Sequence, residues 1–205
     1  MGQFDNFEIC DHPFEAFVPE GCKILIIGTF PTHQRNYKHT FKFYYAGAGN
    51  SFWSIIETVF NLNFQFKNGD DAILERKRFL AQKGIGLTDM LSKAYRKNGR
   101  FQDEHIYPII FTDILSILRN NTSIETIIFT SRTRIIGALG LFETLLMQNN
   151  LQMPALSSNK VKEGVWKFDN REIEILVPYS TSNTIIEEKR ATLVELVAMY
   201  RTCLT

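Results

Sequence analysis

The chain has 205 residues, 44% hydrophobic and 22% charged, with a formal net charge of +1. That composition fits one soluble globular domain with a full core and gives no strongly basic surface of the kind DNA-resident proteins carry. No apolar run is long enough to cross a bilayer and no N-terminal signal pattern is present, so no membrane partner and a cytoplasmic location are expected.

Residues 1–21 read as an N-terminal approach segment, with His12-Pro13 and Pro19 interrupting any helix. Lys23 to Ile27 is an apolar run ending in Gly28-Thr29-Phe30-Pro31-Thr32, the pattern of a core strand followed by a polar loop. A basic insertion leads to Phe43-Tyr44-Tyr45-Ala46-Gly47-Ala48-Gly49-Asn50. Ser51 to Phe60 then has helical spacing, with Phe52, Ile55, Ile56, Val59 and Phe60 in that pattern. Asp70 or Asp71 caps a predicted helix running to Gln82, and Gly84 stops it.

Ile85 to Leu91 is a short apolar segment, and Lys93 to Glu104 reads as a charged loop. Tyr107-Pro108 opens a predicted helix that turns Ile110, Phe111, Ile114, Leu115 and Leu118 toward a core. Ile124 to Thr130 reads as a second buried strand, and Ser131-Arg132 turns into another helix. Val165 to Phe168 and Ile173 to Val177 flank a hairpin turn at Asp169-Asn170-Arg171. The last predicted helix runs from Thr184, boxed with Glu187, to about Thr202. Strands alternating with helices predict a single α/β domain.

Several chemistries lack a foothold. Cys10, Cys22 and Cys203 are dispersed and form neither a CxxC pair nor a zinc spacing, so free thiols and no metal are expected. The chain contains no GxxxxGK[ST], HExxH or GxSxG. Gly47 and Gly49 are followed by Phe52 where a dinucleotide fingerprint needs a third glycine. Three local basic groups stand out: Lys38 with Lys42; Lys93, Arg96, Lys97 and Arg100; and Arg132 with Arg134. Each alone reads as a solvated face.

The remaining motifs form an ordered series. Gly28-Thr29-Phe30-Pro31-Thr32 is followed by Tyr44-Tyr45-Ala46 through Asn50-Ser51-Phe52-Trp53, then by Gly84-Ile85-Gly86-Leu87-Thr88-Asp89-Met90-Leu91. Arg96 through Ile106 and Val177-Pro178-Tyr179-Ser180-Thr181-Ser182 complete it. In this order and spacing the chain resembles the uracil-DNA glycosylase superfamily, in the branch of mismatch-specific and hypoxanthine-DNA glycosylases, over roughly residues 22–200.

The resemblance implies a three-layer α/β/α sandwich around a central, mainly parallel four-stranded sheet. It implies excision of uracil or hypoxanthine from DNA, without a cofactor and without a lysine nucleophile, by a monomer acting on DNA that contains a deaminated or mispaired base. Asn50 would be catalytic, binding the base or orienting water; on spacing alone it is a good helix N-cap. Gly28, Thr29, Phe30, Pro31 and Tyr45 would bind the substrate, with Phe30 and Tyr45 stacking on a flipped base. Core packing is the competing reading for both aromatics. Ser180, Thr181 and Ser182 would touch DNA, or simply cap the loop before a helix.

The chain also departs from the family. Gly47-Ala48-Gly49 replaces a common His-Pro-Arg, which predicts a lost basic contact and a more flexible loop. The first motif lacks the Asp, Asn or Glu that activates water in other branches, with His33 and His39 the nearest alternatives. Thr130-Ser131 replaces Asn-Gly. Two other functions remain open: a non-catalytic nucleic-acid or damaged-base binder that keeps the fold, and an enzyme acting on free nucleosides.

Overall fold

The computed structural model describes residues 6–37, 40–98, 100, 103–133 and 135–205. Strand β1 (Phe7–Asp11) precedes β2 (Ile24–Gly28), helices α1 (Phe52–Val59) and α2 (Gly69–Lys83), and strands β3 (Ile85–Asp89), β4 (Leu91–Lys97) and β5 (Ile106–Phe111). Helix α3 (Ile114–Asn120), β6 (Thr126–Phe129), α4 (Ala138–Gln148), β7 (Lys162–Phe168), β8 (Arg171–Val177), α5 (Thr184–Glu187) and α6 (Leu193–Leu204) follow.

The main sheet has the order β3-β2-β6-β8-β7. The first four strands are parallel and β7 is antiparallel to β8. The α/β class is as expected; the count is five strands rather than four. Asp169 and Asn170, at φ 47° and 64°, form the two-residue turn that folds β7 back along β8. Alternate side chains feed two cores. Ile26 and Ile128 face a core shared with α1, α2 and α6, while Leu25, Ile27, Ile127 and Phe129 face one shared with α3 and α4. Helices therefore cover both faces of the sheet.

Two predicted segments fold differently. The charged stretch from Lys93 and the expected helix at Tyr107 are β4 and β5, which with β1 make a separate antiparallel sheet of order β1-β4-β5. Ile110 is accordingly 51% exposed and not core. Pro108 sits opposite Ala94 on an edge strand, where its missing N–H breaks no central ladder. The helix begins only at α3, where Asp113 accepts the Ser116 amide.

At the C-terminal end, the single predicted helix is two. Helix α5 ends before Lys189, whose φ of 56° cannot continue a helix. The capping box that starts the long helix is Thr192 with Glu195. Ser131-Arg132 likewise precedes α4 by several residues. Gly84, at φ 64°, ends α2 as expected.

Candidate active site

The chain leaves β2 toward α1 on one face and leaves β6 toward α4 on the other, so the neighbouring strands β2 and β6 part at their carboxyl ends. Crevices of this kind are where open α/β sheets bind ligands. Gly28 ends β2 there, and Thr130 follows β6. The Tyr45 hydroxyl lies 3.4 Å from Thr130 Oγ1. Its ring stacks on Phe52 with centroids 4.4 Å apart, so one face is covered by the core. Tyr45 holds φ 57°, an uncommon conformation for a bulky residue. Burial first, and the charge of Asp89 second, push its phenol well above the usual range.

Asn50 is fixed by a clamp between two distant loops. Asn50 and Ser182 form an antiparallel bridge, the Ser51 amide donates to Thr181 O at 2.8 Å, and the Asn183 amide donates to Gly49 O at 2.9 Å. The side-chain oxygen of Asn50 accepts the Phe52 amide at 2.9 Å and the Thr181 hydroxyl at 2.8 Å. An N–H donor fixes which end of the amide is oxygen. Nδ2 is thereby oriented, and it donates to none of the described residues. The N-cap of α1 is Ser51 and not Asn50 as the spacing suggested; Asn50 precedes it, and its oxygen accepts the amide of the first helical residue, Phe52.

The same contacts divide the late loop. Thr181 is 1% exposed, and its hydroxyl holds Asn50 instead of facing outward. Ser180 Oγ accepts the Ser182 amide, while Ser182 Oγ donates to Thr184 Oγ1 at 3.2 Å. Both serines are half-buried.

Phe30 and Pro31 point to another part of the site. With Thr32 and His33 they line a cleft of about 400 Å³ whose opposite wall is Glu8 to Asp11 of β1. Arg96 lies 5.3 Å from the Phe30 ring centroid and donates to Pro31 O. Thr29 is buried at the end of β2. Gly47 is buried too, and a Cβ there would collide with Thr32 Cγ2. The Ala48 amide donates to Asn36 O at 3.0 Å. The loop is closely packed at Gly47, whereas Gly49, at φ 86°, is exposed with open space around it.

A buried hydrogen-bonded pair escaped the sequence reading. His12 Nε2 lies 2.9 Å from Asp89 Oδ2, with the two side chains 7% and 6% exposed. The Phe14 amide donates to His12 Nδ1 at 3.1 Å. Asp89 ends β3 beside Gly28, and a Cβ at position 28 would run into Asp89 Oδ1 and come within 2.9 Å of the Tyr45 hydroxyl. The available signal was a lone carboxylate closing the Ile85 to Leu91 apolar run; its partner is 77 residues away.

The basic groups are dispersed. Lys93 pairs with Asp11 at 3.0 Å and Arg96 is buried. Arg132 lies 3.9 Å over the Tyr179 ring and donates to Val177 O. His33 Nε2 is 3.5 Å from Glu8. Lys38, His39 and Arg134 lie outside the described residues. Among the described residues no group of three His, Cys, Asp or Glu side chains is placed to hold a metal, and no helix is long and apolar enough to cross a membrane. No protein-family model matches the sequence, and no curated protein matches it.

Proposed function

We propose that the chain is a monofunctional DNA glycosylase, with a fold similar to uracil-DNA glycosylases in which β3-β2-β6-β8 is the central parallel sheet. It acts as a cytoplasmic monomer, without a cofactor, on DNA carrying a deaminated or mispaired base, and leaves an abasic site. The observation that carries this reading is Asn50: its oxygen is held by Phe52 and Thr181, and its Nδ2 donates to none of the described residues.

Cleavage of an N-glycosidic bond gives the sugar oxocarbenium character while the base departs with negative charge. A preorganised N–H donor aimed at a base oxygen stabilises that charge. Tyr45 and Phe30 supply aromatic surface for the extruded ring.

Replacing Asn50 with Asp keeps the oxygen that caps Phe52 but removes the donor. Release of uracil and hypoxanthine from end-labelled oligonucleotides should fall roughly 100- to 1,000-fold in Asn50→Asp, the loss typical of one such donor. The fold should persist, and Asn50→Ala should lose the cap as well. Unchanged release in a folded Asn50→Asp protein reduces Asn50 to a cap. Salt-sensitive DNA binding with no release by the native chain selects the non-catalytic binder.

A further inference from the structure

We propose that the groove along α2 is a docking site for an amphipathic helix of a partner protein. That helix lies antiparallel to α2. It carries an acidic residue near its start, apolar residues one turn on and a basic residue two turns on. The surface is apart from the candidate active site, and the proposal does not depend on the glycosylase reading.

The groove is a space of about 630 Å³ between α2 and the segment that follows α1. None of Phe30, Tyr45, Asn50 or Asp89 lines it. Its wall on α2 is Asp71, Leu74, Glu75, Arg78, Phe79 and Gln82. Steps of three and four residues make that one face of the helix, over about three turns or roughly 16 Å. A trough of that length beside a helix matches a second helix better than a compact small molecule.

The facing wall is fixed in advance. Glu75 accepts the Gln65 amide at 2.8 Å and the Phe66 amide at 3.0 Å, one on each carboxylate oxygen. Arg76, 3% exposed, donates from Nη1 to Phe66 O at 2.8 Å. Its guanidinium lies 4.3 Å from the ring centroids of both Phe41 and Phe64, so the tie reaches into the core. The backbone of Phe66 is thus bonded to α2 at both its amide and its carbonyl. Phe66 is nevertheless 41% exposed, and Leu74 on the opposite wall is 46% exposed. Two large apolar side chains held outward across a preformed groove offer contact for the anchors of a partner.

The charges say which helix fits. Asp71 and Arg78 stand seven residues apart on this face, with Leu74 between them. Both are exposed, and neither has an ion-pair partner among the described residues. Asp71, in the first turn of α2, calls for a cation; Arg78, two turns on, calls for an anion. In an antiparallel partner the anion falls near the helix start and the cation toward its end. That is the arrangement the partner's own macrodipole favours. The α2 helix of a second copy offers the same order of charges, but Leu74 is the only large apolar side chain it exposes. It brings a single anchor to a groove with two apolar walls.

The probe is a synthetic helical peptide with Glu, Leu, Leu and Lys at positions i, i+3, i+4 and i+7. Its binding to the full-length chain is read by fluorescence anisotropy. The native chain should bind it, and Phe66→Ser or Leu74→Ser, each folded by circular dichroism, should weaken binding about 10-fold or more. Exchanging Glu and Lys in the peptide should weaken binding to the native chain several-fold. A chain carrying Asp71→Arg with Arg78→Asp should reverse that preference, and these exposed positions leave the core untouched. A peptide that fails to bind, binds Phe66→Ser and Leu74→Ser as well as the native chain, or shows no reversal overturns the proposal. Self-association of the native chain in sedimentation that Leu74→Ser abolishes also overturns it, and assigns the groove to a second copy.

Discussion

At the residue scale, two positions show how a motif residue is held by partners distant in the sequence. Asn50 was legible in the sequence because its neighbours fit both a helix start and a pocket. The sequence could not divide those roles, since the division depends on the Thr181 hydroxyl, 131 residues away. Gly28 is similar: the motif marks a glycine, but its reason is the Asp89 carboxylate and the Tyr45 phenol crowding the space a Cβ would fill. Gly28→Ala should therefore destabilise the fold by about 1–3 kcal/mol, the usual cost of overpacking. Denaturant titration checks this. A Gly28→Ala/Asp89→Ala double variant should recover part of the loss, because the two positions are in contact. His12 was illegible for the opposite reason. A histidine before a proline in a polar segment carries no periodicity, and only the tertiary fold brings it to Asp89.

At the element scale, what could be read followed what the chain repeats. Strands β2 and β6 stood out as continuous apolar runs, and helix α1 by the helical spacing of its apolar residues. Strands β4 and β5 did not. The ladder between them shifts register near Lys93, and β4 buries Arg96, a residue that ordinarily signals a surface. The sequence suggested a capping box at Thr184 with Glu187, but α5 is preceded by Asn183 without a side-chain cap, and the box at Thr192 starts the long helix after the chain turns at Lys189. Thr192→Ala should lower the melting temperature by roughly 2–4 °C. The effect should depend on acid. Lys160 first, and hydrogen bonds from Thr192 next, hold the Glu195 carboxyl down at about 2. Its ordinary value is 4.5, so the folded state favours the ionised form and the stabilisation is present above that pH. It is lost as pH falls from there toward about 2. Melting curves of native and Thr192→Ala protein should converge over that interval.

At the scale of the whole molecule, the two cores make the alkaline limit of stability predictable. Burial raises the thiols of Cys22 and Cys203 to about 11 and about 12, and holds the phenols of Tyr37, Tyr44, Tyr45 and Tyr200 above their ordinary range. For each group the folded state keeps its proton more tightly than the unfolded chain. Their contribution is complete below the ordinary values of 9.0 for cysteine and 10.0 for tyrosine, and it falls as pH rises beyond them. Tyrosinate absorbance should show these four phenols ionising only as circular dichroism reports unfolding. Alkylation of Cys22 and Cys203 should follow the same transition. Early tyrosinate from all seven tyrosines, with the fold intact, would contradict it.

The clamp on Asn50 also orders events during synthesis. Its oxygen is held partly by a loop just before the final helices, so a chain still being made can form β2 and α1 long before it possesses Thr181. Joining two loops so far apart carries a loop-closure cost that is met only once β8 has been laid beside β6. The parallel sheet and its cores can therefore be largely in place while the oriented amide is still missing. Acquisition of a competent site is a terminal step, and a nascent chain lacking its last quarter is folded in part yet cannot present Asn50 as the finished protein does.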